Sequence, residues 1–317
     1  MIAVLTGGTG GAKFVQGLAQ VLPAEELVAI VNTGDDLVWW GLNVSPDLDS
    51  ITYALAGLLS RERGWGVDGD TFECRKAMTR LGEPAWFQLG DRDLATHLVR
   101  TRLLRDGCTL SGATRRITEG FGIRSTVQPM TDSRVETRVR TDQGELGFQE
   151  YFVRERCSPS VERIRFVGAE AAEPAPGVLD AIRSADAVLI APSNPITSIG
   201  PILAVPGIVG ALRETAAPVV AVSPIVGNDA VSGPAGNLMR AQGLPVSIGG
   251  VAQAYRPFLD ALLVAPDDAA AAGEQDIEAR LHATNILMRS DEDKRALARE
   301  ALDTARSIQR RARVASV

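Results

Sequence analysis

The sequence predicts an α/β fold: a mostly parallel sheet with helices on both faces and an inserted helical plus antiparallel-strand subdomain. Three observations predict it. Residues 2–5, 27–31, 187–191 and 219–222 are short, near-continuous apolar runs, as in parallel strands buried on both faces. Each leads into a loop of Gly, Ser, Asn, Asp or Pro and then a helical pattern, which is strand–helix alternation. Residues 124–167 instead alternate apolar and charged, as in "VETRVRTDQGELGFQEYFV", the mark of antiparallel strands with a turn at 142–144.

Composition bounds the rest. The chain has 317 residues and is 45% hydrophobic, enough for one large α/β unit with an insertion. We expect a core from 1–60 and 161–317 and an inserted subdomain, 61–160. A net charge of −6 argues against a nucleic-acid partner. Cys74, Cys108 and Cys157 form no C-x-x-C, so disulfides and thiolate zinc are not expected and a reducing cytoplasm fits. His97 and His282 are the only histidines, which excludes a zinc site built on several; a metal would be oxygen-held, Mg²⁺ or Mn²⁺. The first apolar run meets glycine at once, so no signal peptide is expected, and no run is long enough to span a membrane.

The first strand opens into "LTGGTGGAK", residues 5–13, with a helix from about 12 to 21. Strand, glycine turn and helix aim N–H groups and a dipole at an anion. The dinucleotide spacing started at Gly8 needs glycine at 13 and meets Lys13. The NTPase loop needs glycine at 12 and a hydroxyl at 14, and finds Ala12 and Phe14. An anion site with Lys13 as a point charge remains; the plain alternative is a tight turn without a ligand.

The second strand leads into "VNTGDD", with Asn32, Thr33, Asp35 and Asp36 at its end. An acid here suits a ribose hydroxyl, or an Asx turn. "SPDLDS" follows. If Ser45 caps and Pro46 opens a helix, Asp47 and Asp49 diverge. If the stretch stays extended to Asp49, both point one way and suit Mg²⁺; spacing alone favours capping.

Helices are expected near 72–81, 91–105 and 111–120. In "LGDRDLATH" Asp91 is a natural cap, and Asp93 and His97 share a helical face. They suit orienting or deprotonating a substrate hydroxyl, or a surface ion pair. "APSNPITSIGP" offers Ser193, Asn194, Thr197 and Ser198 before a helix near Ile199, suited to a phosphate or a base edge. Parallel strands align their C-terminal ends, so all these loops gather on one rim. Trp39, Trp40, Trp86 and Phe87 suit stacking a planar ring or a plain core. From Ser290 a charged helix runs into a basic end, read as a solvated tail.

In this order, "GGTGGAK", "VNTGDD", "WWG", "SPDLDS", "DTF", "LGDRDLATH", "PMTD", "FQEYFV", "APSNPITSIGPIL" and "VSPIVGNDAVSGPAG" resemble the 2-phospho-L-lactate transferases of coenzyme F420 biosynthesis over nearly the whole chain. The resemblance implies a Rossmann-like core and transfer of a phospholactyl group, or in some relatives a phosphoenolpyruvyl group. The donor is guanosine diphosphate-linked, the acceptor is the terminal hydroxyl of the deazaflavin Fo, and GMP leaves. It implies Mg²⁺ on Asp49 with Asp47. Asp91, Asp93 and His97 would serve the acceptor side, with Trp39 and Trp40 at its ring. Gly8, Thr9, Gly10, Gly11 and Lys13 would hold the guanosine diphosphate part with Asn32, Thr33, Asp35, Ser193, Asn194, Thr197 and Ser198; the 223–236 loop would close over it. Relatives can carry proline where this chain has Ala12, which leaves the loop's path open. A homodimer is expected by default. A non-catalytic nucleotide-binding regulator of the gluconeogenesis-factor type is the alternative; an NAD-dependent dehydrogenase is weakened by the failed glycine spacing. Spacing does not separate the two three-carbon groups.

Overall fold

The computed structural model describes residues 1–274 and 276–308. Its centre is a seven-stranded sheet. From one edge to the other the strands are Arg280–Ala283, Ala261–Val264, Val219–Val222, Ala187–Ile190, Ile2–Thr6, Leu27–Val31 and Thr126–Pro129. Every neighbouring pair is parallel. Alternate side chains of one strand enter opposite layers, as the two-residue period dictates. Ile2 and Val4 pack with Phe14, Val15, Leu48, Ile51 and Leu297, from the helices Gly8–Ala19, Pro46–Leu55 and Asp291–Ser307. Ala3 and Leu5 pack on the other side with Val178, Ile202, Ile208, Leu238 and Val251. The sheet is thus covered on both faces and Rossmann-like.

All four expected strands are present. The three expected middle helices are Glu73–Arg80, Asp93–Arg105 and Leu110–Gly120. The antiparallel expectation for 124–167 holds only in part. Glu136–Thr141, Gly144–Gly147 and Val161–Val167 form a three-stranded antiparallel sheet. Thr126–Pro129 instead extends the main sheet in parallel, beside Leu27–Val31, so the core sheet takes a strand from within 61–160. The strands Ala261–Val264 and Arg280–Ala283, the last of them an edge strand, were not anticipated. The last helix starts where expected: Ser290 and Asp293 form a capping box. Residues 309–317, most of the basic end, lie outside the described residues. No described helix is long and apolar enough to cross a membrane.

Candidate active site

The chain runs outward from Ile2–Thr6 to Leu27–Val31 and Thr126–Pro129, then returns to Ala187–Ile190 on the first strand's other side. That reversal opens a crevice at the strands' C-terminal ends, where open parallel sheets bind ligands. A cavity of about 560 Å³ occupies it. The glycine loop and residues 192–198 form its two lips, and Ser193 Oγ donates to the Gly7 carbonyl at 2.7 Å.

The glycines are needed for close approach as well as for turning. A Cβ at Gly7 would stand 2.5 Å from Asp47 Oδ2, and Gly8 has φ +66°, which favours glycine. Gly8, Thr9, Gly10 and Lys13 line the cavity, as do Asp35, Ser193, Asn194, Thr197 and Ser198. Gly11 does not; it is buried against Thr6 and Ser193. Asn32 and Thr33 also stay behind the wall, fully enclosed. Asn32 acts as a brace: its amide donates to Asp47 Oδ2 at 2.9 Å and to the Thr197 carbonyl at 3.2 Å.

Helix Pro46–Leu55 begins at its proline, so the two acids of "SPDLDS" diverge. Asp47 turns to the glycine loop, where it accepts from the Gly8 N–H. Asp49 turns to the helix Asp93–Arg105, where Arg100 grips both its oxygens, Nη1 at 3.1 Å from Oδ2 and Nη2 on Oδ1. Both acids line the cavity, Asp49 with its two oxygens already held by Arg100. Asp35 also stands near Asp47, and its Oδ1 is buried without a partner.

Burial pushes the Asp47 carboxyl up to about 6. Burial, then the Asp47 charge, pushes Asp35 well above the usual range, and burial does the same for Asp36. No basic side chain offsets the Asp35 and Asp47 shifts, whereas the Arg100 charge partly offsets that of Asp36. Among the described residues no three His, Cys, Asp or Glu side chains converge on a metal position. Mg²⁺ needs no such cage; it binds through one or two carboxylates plus phosphate and water. Asp47 and Asp35 fit that requirement.

Beyond this acidic ledge, His97 sits 3.1 Å from Asp93 Oδ1 through Nε2 and 3.6 Å from Asp49 Oδ2 through Nδ1. Arg100 Nη1 lies 3.3 Å from Nδ1. Arginine has only donors, so Nδ1 is the ring atom that can accept from Arg100, and Nε2 faces Asp93. Tyr53 donates to Asp93 Oδ1 at 2.6 Å. Burial raises the Asp93 carboxyl, but His97 and Tyr53 outweigh it and hold it below the usual value.

Asp91 is not in the cavity. Its carboxylate accepts from Glu73 N at 3.0 Å and Cys74 N at 2.9 Å, so it caps Glu73–Arg80 rather than the helix that follows it. Asp70 holds the N–H groups of Arg92 and Asp93 instead. Trp39 and Trp40 also miss the cavity: Trp39 packs in a small core with Val44 and Leu89, and Trp40 donates to the Pro84 carbonyl at 2.8 Å. The aromatic wall is made of Tyr53, Trp65, Phe87, Phe148 and Phe152. Trp65 is set between Gly64 and Gly66, both at positive φ, with the Arg63 guanidinium 5.3 Å from its ring and 5.2 Å from that of Phe72. A tryptophan between two glycines was the sequence signal for this part of the wall.

Fold and site together define a parallel α/β protein with a switch-point cleft lined by a glycine loop, aspartates and aromatic rings. The family model of 2-phospho-L-lactate transferase CofD matches residues 2–305, and the chain belongs to that family. A phosphoenolpyruvate transferase of Streptomyces griseus is 44% identical over 314 residues, 97% of this chain and 99% of the relative. A 2-phospho-L-lactate transferase of Methanosarcina mazei is 44% identical over 257 residues, 81% of this chain and 84% of the relative. The crystal structure of a UPF0052 family member from Bacillus halodurans has the same fold, with TM-score 0.62 at 17% identity over 95% of this chain and 98% of the other.

Proposed function

We propose that this chain transfers a phospholactyl or phosphoenolpyruvyl group from a guanosine diphosphate-linked donor to the terminal hydroxyl of the deazaflavin Fo, releasing GMP, in coenzyme F420 biosynthesis. The observation that carries this reading is one continuous cavity lined by a glycine loop with Lys13, by aspartates and by aromatic rings. Membership of a family whose relatives bear both transferase names supports it.

The acceptor oxygen attacks the phosphorus bearing the three-carbon acid. A new P–O bond forms, the bond from that phosphorus to the bridging oxygen breaks, and GMP leaves with the electron pair. Such transfers depend on positioning and charge neutralisation more than on a strong base. Glycine-loop N–H groups and Lys13 hold phosphate oxygens, and Ser193, Asn194, Thr197 and Ser198 form the opposite lip. Mg²⁺, held by Asp47 and Asp35, would supply Lewis-acid polarisation of the phosphoryl oxygens. Asp93 has Oδ1 occupied by Tyr53 and His97 and offers Oδ2 to the incoming hydroxyl, whose proton it orients or accepts. His97 steadies Asp93 rather than taking the proton itself. The inserted segment 61–160 brings Asp93, Trp65, Phe87, Phe148 and Phe152 to this side, so it forms the acceptor half. Three free cysteines fit a cytoplasmic enzyme without disulfides; a homodimer that binds no nucleic acid completes the reading.

Mass spectrometry of the product from Fo with each donor tests this. A lactyl or enolpyruvyl phosphodiester of Fo is expected, with one equivalent of GMP. Binding of GDP without GMP release from either donor would instead mark a regulator.

A further inference from the structure

Helix Asp93–Arg105 meets helix Pro46–Leu55 through a polar seam. Asp93, Thr96, His97, Arg100 and Thr101 are all buried. Opposite them stand Asp49 and Tyr53, one turn apart. Arg100 is 2% exposed. It forks onto Asp49, with Nη1 also 3.3 Å from His97 Nδ1 and 3.5 Å from the Asn43 carbonyl. Tyr53 reaches Asp93 Oδ1 at 2.6 Å and Thr96 Oγ1 at 2.8 Å, and Thr101 Oγ1 accepts from Asn43 N at 2.7 Å.

Apolar contacts would join two helices at lower cost, because a buried ion pair seldom outperforms well-packed apolar residues of the same size. What directional bonds supply is register. The apolar alternative could slide; a forked Arg–carboxylate pair flanked by the two hydrogen bonds of Tyr53 cannot. We propose that Arg100 is a positioning residue for the transfer: it neutralises Asp49 and locks the helix carrying Asp93 and His97 onto the helix carrying Asp47. The acceptor side and the phosphate side are thereby held at one separation, and Asp49 serves as the lock's counter-charge rather than as an ion ligand. The reaction assigned to the cavity rests on the reading above; the lock itself does not.

The test compares Arg100→Gln, Arg100→Lys and the double variant Asp49→Asn/Arg100→Gln by hydrogen exchange of residues 93–105, melting temperature and steady-state kinetics. Arg100→Gln strands a buried carboxylate, so exchange in this helix should rise and kcat fall by about 100-fold, while KM for the donor changes less than about threefold because the glycine loop is untouched. The double variant faces two neutral amides and should regain most of the exchange protection and part of kcat. Arg100→Lys keeps the charge but loses the fork; it should fold, protect the helix less well, and lower kcat about tenfold. Should Arg100→Gln fail to fold, Arg100→Lys and the double variant decide. Wild-type exchange and kcat in Arg100→Lys, or a double variant no better protected than Arg100→Gln, would overturn the proposal. If the wild type turns over neither donor, the assigned reaction fails, and the exchange comparison still decides the lock.

Discussion

Replacing Asp47 by Asn should stabilise the metal-free protein while removing its response to Mg²⁺. The carboxyl is buried and pushed up from 3.8 to about 6. A rise of about two units corresponds to about 3 kcal/mol against the ionised folded form. The sign follows from proton binding. The folded state holds the Asp47 proton more tightly than the unfolded chain does, so stability is highest below the unfolded value. It declines as pH rises from about 4 to about 6. Above that the whole penalty is present. Asn carries no charge and still offers an oxygen to Asn32 and Gly8, with about 1 kcal/mol lost to weaker hydrogen bonds. The net gain at pH 7.5 is about 2 kcal/mol, or about 3 °C for a chain of this length. Wild-type protein should regain a similar margin from Mg²⁺ at about 100 times its Kd, worth about 2.7 kcal/mol. Melting curves from pH 4 to 8, with and without Mg²⁺, check this for both proteins. A variant that melts no higher than wild type at pH 7.5, or that Mg²⁺ stabilises as strongly as wild type, would refute the reasoning. Turnover should be lost in the variant, the usual exchange of activity for stability at a strained site.

Three further outcomes follow from the same geometry. Lys13 is the one Lys or Arg lining the cavity among the described residues; Lys13→Gln should raise the donor KM about 10–100-fold, the value of a charge-assisted contact, with the acceptor KM unchanged in steady-state assays. Trp65→Leu should raise the acceptor KM about tenfold with a small change in melting temperature, whereas Trp39→Leu, which removes a ring from the small core with Val44 and Leu89, should lower the melting temperature and leave the acceptor KM near wild type. Asp91→Asn should cost about 1 kcal/mol by weakening the cap on Glu73–Arg80, read by thermal melting, and leave kcat within about twofold of wild type.

The four apolar strands and the rim they create were legible because each is local: a run of residues such as 27–31 carries its own burial signal, and parallel alignment does the rest. Thr126–Pro129 was not, since a short strand with a glutamine and a proline looks the same whether it joins a hairpin or the edge of a parallel sheet. The site divides along the same line. Loops that follow strands reached the cavity, but Asn32, Thr33 and Gly11 became its supports, because only packing decides which side of a turn faces a ligand. Trp39 and Trp40 were drawn into a core by Val44 and Leu89, which no spacing of theirs records.

Arg100 shows what a sharper reading would need. In "HLVRTRLL" it is one of several basic residues on a helix. Yet Asp93, Thr96, His97 and Arg100 recur at intervals of three, one and three, the period of a buried helical stripe, and they are polar. A helix that turns a polar stripe inward must meet groups that satisfy it. Asp49 and Tyr53, four apart on a helix whose start is fixed by Pro46, present a carboxylate and a hydroxyl on one face at matching pitch. The divergence of Asp47 from Asp49 was therefore the informative alternative: once Pro46 opens the helix, Asp49 cannot face the glycine loop, and an acid forced into the interior on the other side requires a cation there.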